Sequence, residues 1–227
     1  QEVLDRIQPT LTSLPPARAQ ALYLAALLHE LGRSVPPDHE RSGIALARDV
    51  LWRMDLPGPL RDHVVYLVRS HTLPFARDQR QAGLGRMWRL AWTLDTSLLY
   101  QLALAESDVR TLAPTHPRRQ ALAAFRERCE RLEIFGREPP PFVPREVWDE
   151  LTPREPLLRR RTAGELRFWR IKQRVSTPAE AVAWLRKLSA RPAGTLYLPV
   201  GVPGSGKSTW LARHLTQARV ISMDEMR

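Results

Sequence analysis

One run near the carboxyl end limits what this chain can fold into more than any other: Gly-Thr-Leu-Tyr-Leu-Pro-Val-Gly-Val-Pro-Gly-Ser-Gly-Lys-Ser-Thr, residues 194–209. The apolar, β-prone stretch 195–200 predicts a strand, and the residues from 209 to 217 predict a helix. Between them stands Gly-x-x-x-x-Gly-Lys-Ser, the spacing of a phosphate-binding P-loop. Gly201, Gly204 and Gly206 permit left-handed backbone with no Cβ in the way, so that successive N–H groups can turn onto phosphate oxygens. A helix beginning at that point adds its dipole and free N–H donors. The pattern predicts an ATP·Mg²⁺ site made by Gly201, Gly204, Ser205, Gly206, Lys207, Ser208 and Thr209. In it Lys207 reaches the β- and γ-phosphates, and the Ser208 hydroxyl ligates Mg²⁺.

A second short strand is predicted immediately afterwards, ending in Ser222-Met223-Asp224-Glu225-Met226-Arg227. In parallel α/β sheets ligands gather at the carboxyl ends of strands. Asp224 would then stand beside the γ-phosphate and Arg227 near an acceptor; the plainer alternative makes Asp224 a helix N-cap and Arg227 a solvated residue. The combination Gly-Ser-Gly-Lys-Ser plus Ser-x-Asp-x-x-Arg resembles the start of the polynucleotide 5′-kinase family. That resemblance implies Lys207, Asp224 and Arg227 as catalytic residues, with Asp224 as general base toward a 5′-hydroxyl. It covers only residues 194–227, so the kinase is expected to be cut short, and related small-molecule kinases share the same opening.

The formal net charge of +11 rests almost wholly on arginine, since Lys172, Lys187 and Lys207 are the only lysines. Guanidinium groups grip phosphates bidentately, and such a balance fits a polyanionic partner. The single cysteine, Cys129, excludes an internal disulfide and a cysteine zinc site, which fits a cytoplasmic location. No apolar run is long enough for a membrane span and no signal-peptide pattern opens the chain. Both ends read as boundaries of a fragment.

Ahead of the glycine loop the periodicity is helical throughout. Helices are expected near 1–14, over 15–32, at about 39–54, at about 60–70, and over 84–109 with a break near Asp95-Thr96-Ser97. Others follow from about 115 to 133, at 145–151, at 155–174 and at 177–190. Thr177-Pro178-Ala179-Glu180 reads as a capping box with proline in the first turn.

Leu27-Leu28-His29-Glu30-Leu31-Gly32 resembles the His-Asp doublet of HD-superfamily phosphohydrolases. The wider order of motifs resembles the carboxyl-terminal half of bacterial CCA-adding enzymes: the His29 helix, then His39-Glu40-Arg41-Ser42-Gly43, then Val68-Arg69-Ser70-His71, then a helix ending near Asp108. The resemblance implies a metal set drawn from His29, Glu30, His39, His71 and Asp108. Two departures stand out. The doublet is His-Glu, whose carboxylate is one methylene longer, and no histidine precedes His29. They predict a correctly folded, catalytically degenerate domain with little tightly bound transition metal.

The helix at 155–174 carries Arg159, Arg160, Arg161, Arg167, Arg170, Lys172 and Arg174, with Phe168 and Trp169 among them. Basic and aromatic residues together suit phosphate contact and base stacking, making Arg160, Arg167 and Arg170 candidate RNA contacts; a solvated face docking its aromatics on the bundle is the alternative. The expected architecture is an all-α HD-like domain (1–134), a helical extension (135–190) and the beginning of an α/β P-loop kinase domain (191–227). HD-like and kinase modules in one chain resemble bacterial RNA end-healing proteins, which implies an ATP-dependent polynucleotide 5′-hydroxyl kinase whose HD-like part binds RNA. The alternatives are a metal-dependent phosphohydrolase acting on 2′,3′-cyclic or terminal phosphates, and a non-catalytic RNA-binding module whose P-loop senses nucleotide.

Overall fold

The computed structural model describes residues 2–31, 39–76, 83–190, 199–200, 202 and 204–217. The chain divides into two compact units, Gln1–Ser189 and Ala190–Arg227.

The first unit runs α1 (Glu2–Ser13), α2 (Pro16–Leu28), α3 (His39–Arg53), α4 (Gly58–Ser70), a 3₁₀ turn at Leu73–Phe75, α5 (Leu84–Thr93), α6 (Thr96–Val109), α7 (Pro117–Arg131), α8 (Arg145–Leu151), α9 (Pro156–Ile171) and α10 (Pro178–Ser189). Pro16, Pro117, Pro156 and Pro178 each open a helix, where the missing N–H is one the helix leaves unpaired anyway. The capping box is formed: Thr177 Oγ1 accepts from the Glu180 N–H at 3.2 Å, and a Glu180 carboxylate oxygen accepts from the Thr177 N–H at 3.2 Å.

Helix α6 packs against α1, α2, α4 and α7. Its residues Leu98, Leu99 and Leu102 meet Leu22 and Ala25 of α2, Val64, Leu67 and Val68 of α4, and Phe125 and Cys129 of α7 in one core. Side chains of this kind contribute about 1.5–3 kcal/mol each when fully buried, so the bundle is held chiefly by this helix's apolar surround. The start of α6 is fixed by Asp95, which accepts from the N–H groups of Ser97 and Leu98 at 2.9 and 3.2 Å. Arg18 pairs with the other Asp95 oxygen at 2.8 Å, and the Asp95 N–H donates to His63 Nε2 at 3.0 Å. The expected break near Asp95 is thus a capped helix start that also ties α2 and α4 to it.

A smaller core of Val143, Leu166, Val175, Ala181 and Leu185 joins the helices from α8 to α10. Helix α9 lies directly on α5: a Cβ added at Gly85 would sit 2.0 Å from the Ile171 carbonyl oxygen. Only glycine permits main chain so close.

In the second unit α11 (Lys207–His214) follows Gly204 and Gly206, whose φ angles are +80° and +78°. Every regular element among the described residues is helical, and no strand occurs among them. The expected α/β domain is corrected on this point: Pro199, Val200 and Val202 carry no regular structure, while the rest of the predicted first strand and all of the second lie outside the described residues. No helix among the described residues is long and apolar enough to cross a membrane.

Candidate functional site

Two histidines occupy equivalent places. His29 is the C-cap of α2 and His71 the C-cap of α4, and α2 packs on α4, so the two helices end side by side. The imidazole centroids are 5.5 Å apart with the rings at 72°. Each Nδ1 bonds a carbonyl three residues back, Ala26 at 2.8 Å for His29 and Val68 at 2.7 Å for His71. A carbonyl accepts only, so Nδ1 carries the proton and Nε2 keeps its lone pair. His29 is buried and its Nε2 has no partner among the described residues. Burial pushes the His29 imidazole below its ordinary value, against the Ala26 carbonyl, which raises it; the neighbouring His71 lowers it further. A neutral imidazole with Nδ1–H anchored on a carbonyl and Nε2 free is the form in which histidine binds metal.

The two acids at the end of α6 have different surroundings. Asp108 is paired with Arg119 and its side chain is 37% exposed. Glu106 is the buried acid of α6, and its field reaches His29. Two residues along a helix turn the side chain by about 200°, so Glu106 and Asp108 face opposite ways. Glu106 Oε1 meets Arg110 at 2.9 Å and Arg118 at 3.5 Å, while its buried Oε2 lacks a partner among the described residues. Glu30 is exposed and also acts on His29 electrostatically. His39 opens α3, with its side chain outside the described residues. Among the described residues no three His, Cys, Asp or Glu side chains group as a metal site.

Residues 2–113 match the family model of the HD domain. The match spans the helices that carry His29, His39, His71 and Glu106. Part of the chain is also 41% identical, over 56 residues, to a bifunctional uridylyltransferase/uridylyl-removing enzyme of Streptomyces coelicolor. That stretch is 25% of this chain and 7% of the relative, so the chain corresponds to a small part of that protein. No solved structure matches the chain.

The HD match ends well short of the glycine loop, and the kinase expectation is corrected. No strand backs the loop among the described residues. Lys207 Nζ is turned onto its own loop, donating to the Val202 carbonyl at 2.7 Å and to Ser205 Oγ at 3.3 Å. Ser208 and Thr209 are exposed on the first turn of α11. Gly201, Asp224 and Arg227 lie outside the described residues. The HD match gives no support to a P-loop phosphotransferase, and that reading is given up.

The three candidate RNA-contacting arginines of α9 do not form one surface. Arg160 is exposed, and Arg167 is half-exposed with Glu138 at 3.5 Å. Arg170 is buried, stacked between Trp88 and Phe142 at 4.0 Å from each ring centroid, and donates to the Pro140 carbonyl at 3.1 Å. Burial pulls its guanidinium down to about 10.

Proposed function

We propose that the His29–His71 end of the bundle is the reaction centre of a divalent-metal phosphohydrolase. The observation that carries this reading is the pair of imidazoles with Nδ1–H held by carbonyls and Nε2 left as donor, within a region that matches the HD domain. The pair fits a first-row divalent cation by donor chemistry. His29 and His71 would hold it through Nε2, with Glu30 and His39 as the further donors that the sequence suggests. Such a cation supplies a Lewis acid for a phosphoryl oxygen and lowers the pKa of bound water.

The chain's own part is orientation. The carbonyls of Ala26 and Val68 fix both tautomers, and the apolar surround of His29 keeps its ring neutral. Arg110 and Arg118 offset the charge of Glu106 next to this site. The substrate class is a phosphate ester, with 2′,3′-cyclic or terminal phosphates of nucleotides as the first to assay.

The experiment is calorimetric titration of the metal-free chain with Mn²⁺, run beside hydrolysis of a 2′,3′-cyclic nucleotide with and without chelator. His29→Ala and His71→Ala should each weaken Mn²⁺ binding by about tenfold or more and abolish chelator-sensitive hydrolysis. Equal Mn²⁺ affinity in wild type and both variants would remove the reading.

A further inference from the structure

A cavity of about 770 Å³ opens between α5, the 137–143 segment, α8 and α9. Its walls include Trp92, Phe142 and Trp148, together with Arg145, Arg167 and Arg170. This volume lies within the range of sites that take small molecules or parts of larger ones. None of these residues belongs to the histidine pair.

Arg170 gives the cavity its meaning. It is 7% exposed, yet no ion pair to it occurs among the described residues, and its Nε is buried without a partner. A buried guanidinium is normally paired with a carboxylate, because an uncompensated buried charge is costly. Among the described residues it is held by the faces of Trp88, Phe142 and, farther off, Trp92, and by one carbonyl. Two of the other lining arginines are loosely engaged: Arg145 stands 3.8 Å from Asp149 with its side chain 90% exposed, and Arg167 stands 3.5 Å from an exposed Glu138. Arg137, Arg145, Arg167 and Arg170 against Glu133 and Glu138 leave the lining net positive, and with its flat aromatic faces it is complementary to a ligand that joins planar rings to negative charge.

We propose that this cavity binds single-stranded nucleic acid, with a base against the Trp92–Trp148 walls and the adjoining phosphates near Arg145, Arg167 and Arg170. Stacking faces beside a cationic groove are how sequence-tolerant single-strand sites are built. The aromatic lining tells against duplex, whose bases are already stacked. The chain's net charge of +11 tells against a free nucleotide alone, because it favours a ligand with many phosphates. The proposal stands whether or not the histidine pair hydrolyses anything.

The test is fluorescence anisotropy of a labelled short single-stranded RNA with the 227-residue chain, across a salt series. Trp148→Ala should weaken binding about fivefold or more, and Trp148→Phe should restore most of it. The double variant Arg145→Ala/Arg167→Ala should weaken binding and flatten the log–log salt slope by about 0.7 for each phosphate no longer neutralised. Arg170→Met keeps the bulk between the aromatic rings and should also lower affinity, with the helical circular dichroism unchanged. Arg53→Ala, on the exposed end of α3, serves as the control and should change little. Wild-type affinity and slope in all the cavity variants would overturn the proposal. So would equal affinity for duplex of the same length, or full competition by 5′-AMP at its own wild-type affinity, which would make this a free-nucleotide site.

Discussion

Substituting alanine for glycine at two places in the same helical layer should have opposite effects. Gly85 lies in α5 against the carboxyl end of α9, and the new methyl would stand 2.0 Å from the Ile171 carbonyl oxygen and 3.0 Å from its carbonyl carbon. Real Cβ atoms essentially never approach a neighbour closer than 3.0 Å, so main chain must retreat by about 1 Å. Overpacking of this sort costs about 1–3 kcal/mol, and a main-chain obstacle belongs at the upper end. Alanine's better helix propensity returns about 1 kcal/mol, leaving a net loss of about 2 kcal/mol. At roughly 2–4 °C per kcal/mol for a chain of this size, Gly85→Ala should lower Tm by about 4–8 °C. Gly164, in α9, has nothing within 4 Å of an added Cβ, so Gly164→Ala should gain about 1 kcal/mol and raise Tm by about 2–4 °C. Thermal unfolding followed by far-ultraviolet circular dichroism measures both. Tryptophan fluorescence gives a second signal, because the displaced Ile171 adjoins Arg170, which packs on Trp88. Gly85→Ala at or above wild-type stability would refute the close approach of α5 and α9.

Three further outcomes are expected. Asp95→Ala removes the α6 cap and the Arg18 pair and should cost about 2 kcal/mol in urea unfolding, whereas Asp95→Asn keeps a cap and should cost under about 1 kcal/mol. His63 is held below its ordinary value by burial, with Asp95 opposing and Arg18 reinforcing. The unfolded chain therefore takes up a proton near pH 6.5 that the folded chain refuses. Its contribution is complete above that pH and declines as pH falls, and His63→Asn should make the urea-measured decline from about pH 7 to 5 shallower. Mn²⁺ at about a hundred times its Kd should stabilise the wild type by about 2.7 kcal/mol. Chelator should reverse that gain, and His29→Ala, binding about tenfold or more weakly, should keep no more than about half of it in a thermal shift.

The helices of the first unit were legible because they are long, apolar on one side and marked by proline or Asp95 at their starts. The burial of the polar residues inside those helices was not legible for one reason. Leu98, Leu102 and Glu106 follow a spacing of four, and so do Thr162, Leu166 and Arg170; in each set the last member is buried with the others. A charged residue read by type is assigned to solvent or to a ligand, whereas read by register it continues a buried stripe. Register would have marked Glu106 and Arg170 as buried. The pairing of His29 with His71 could not be read from spacing, since it depends on α2 and α4 ending side by side. The glycine motif carried its local turn, with positive φ at Gly204 and Gly206. A motif of that length does not itself supply the sheet that a kinase needs.

Cys129 gives this chain a clock of its own. It is the sole cysteine, it is fully buried among α6 and α7, and burial away from solvent pushes its thiol up to about 12. Only the thiolate attacks alkylating reagents at a useful rate, so the native molecule should ignore them until the bundle opens. Each modified chain then records one opening event at a single known place. The rate of that mark, read by intact mass, follows the loosening of the bundle without any engineered label, and a ligand that grips the helices should slow it.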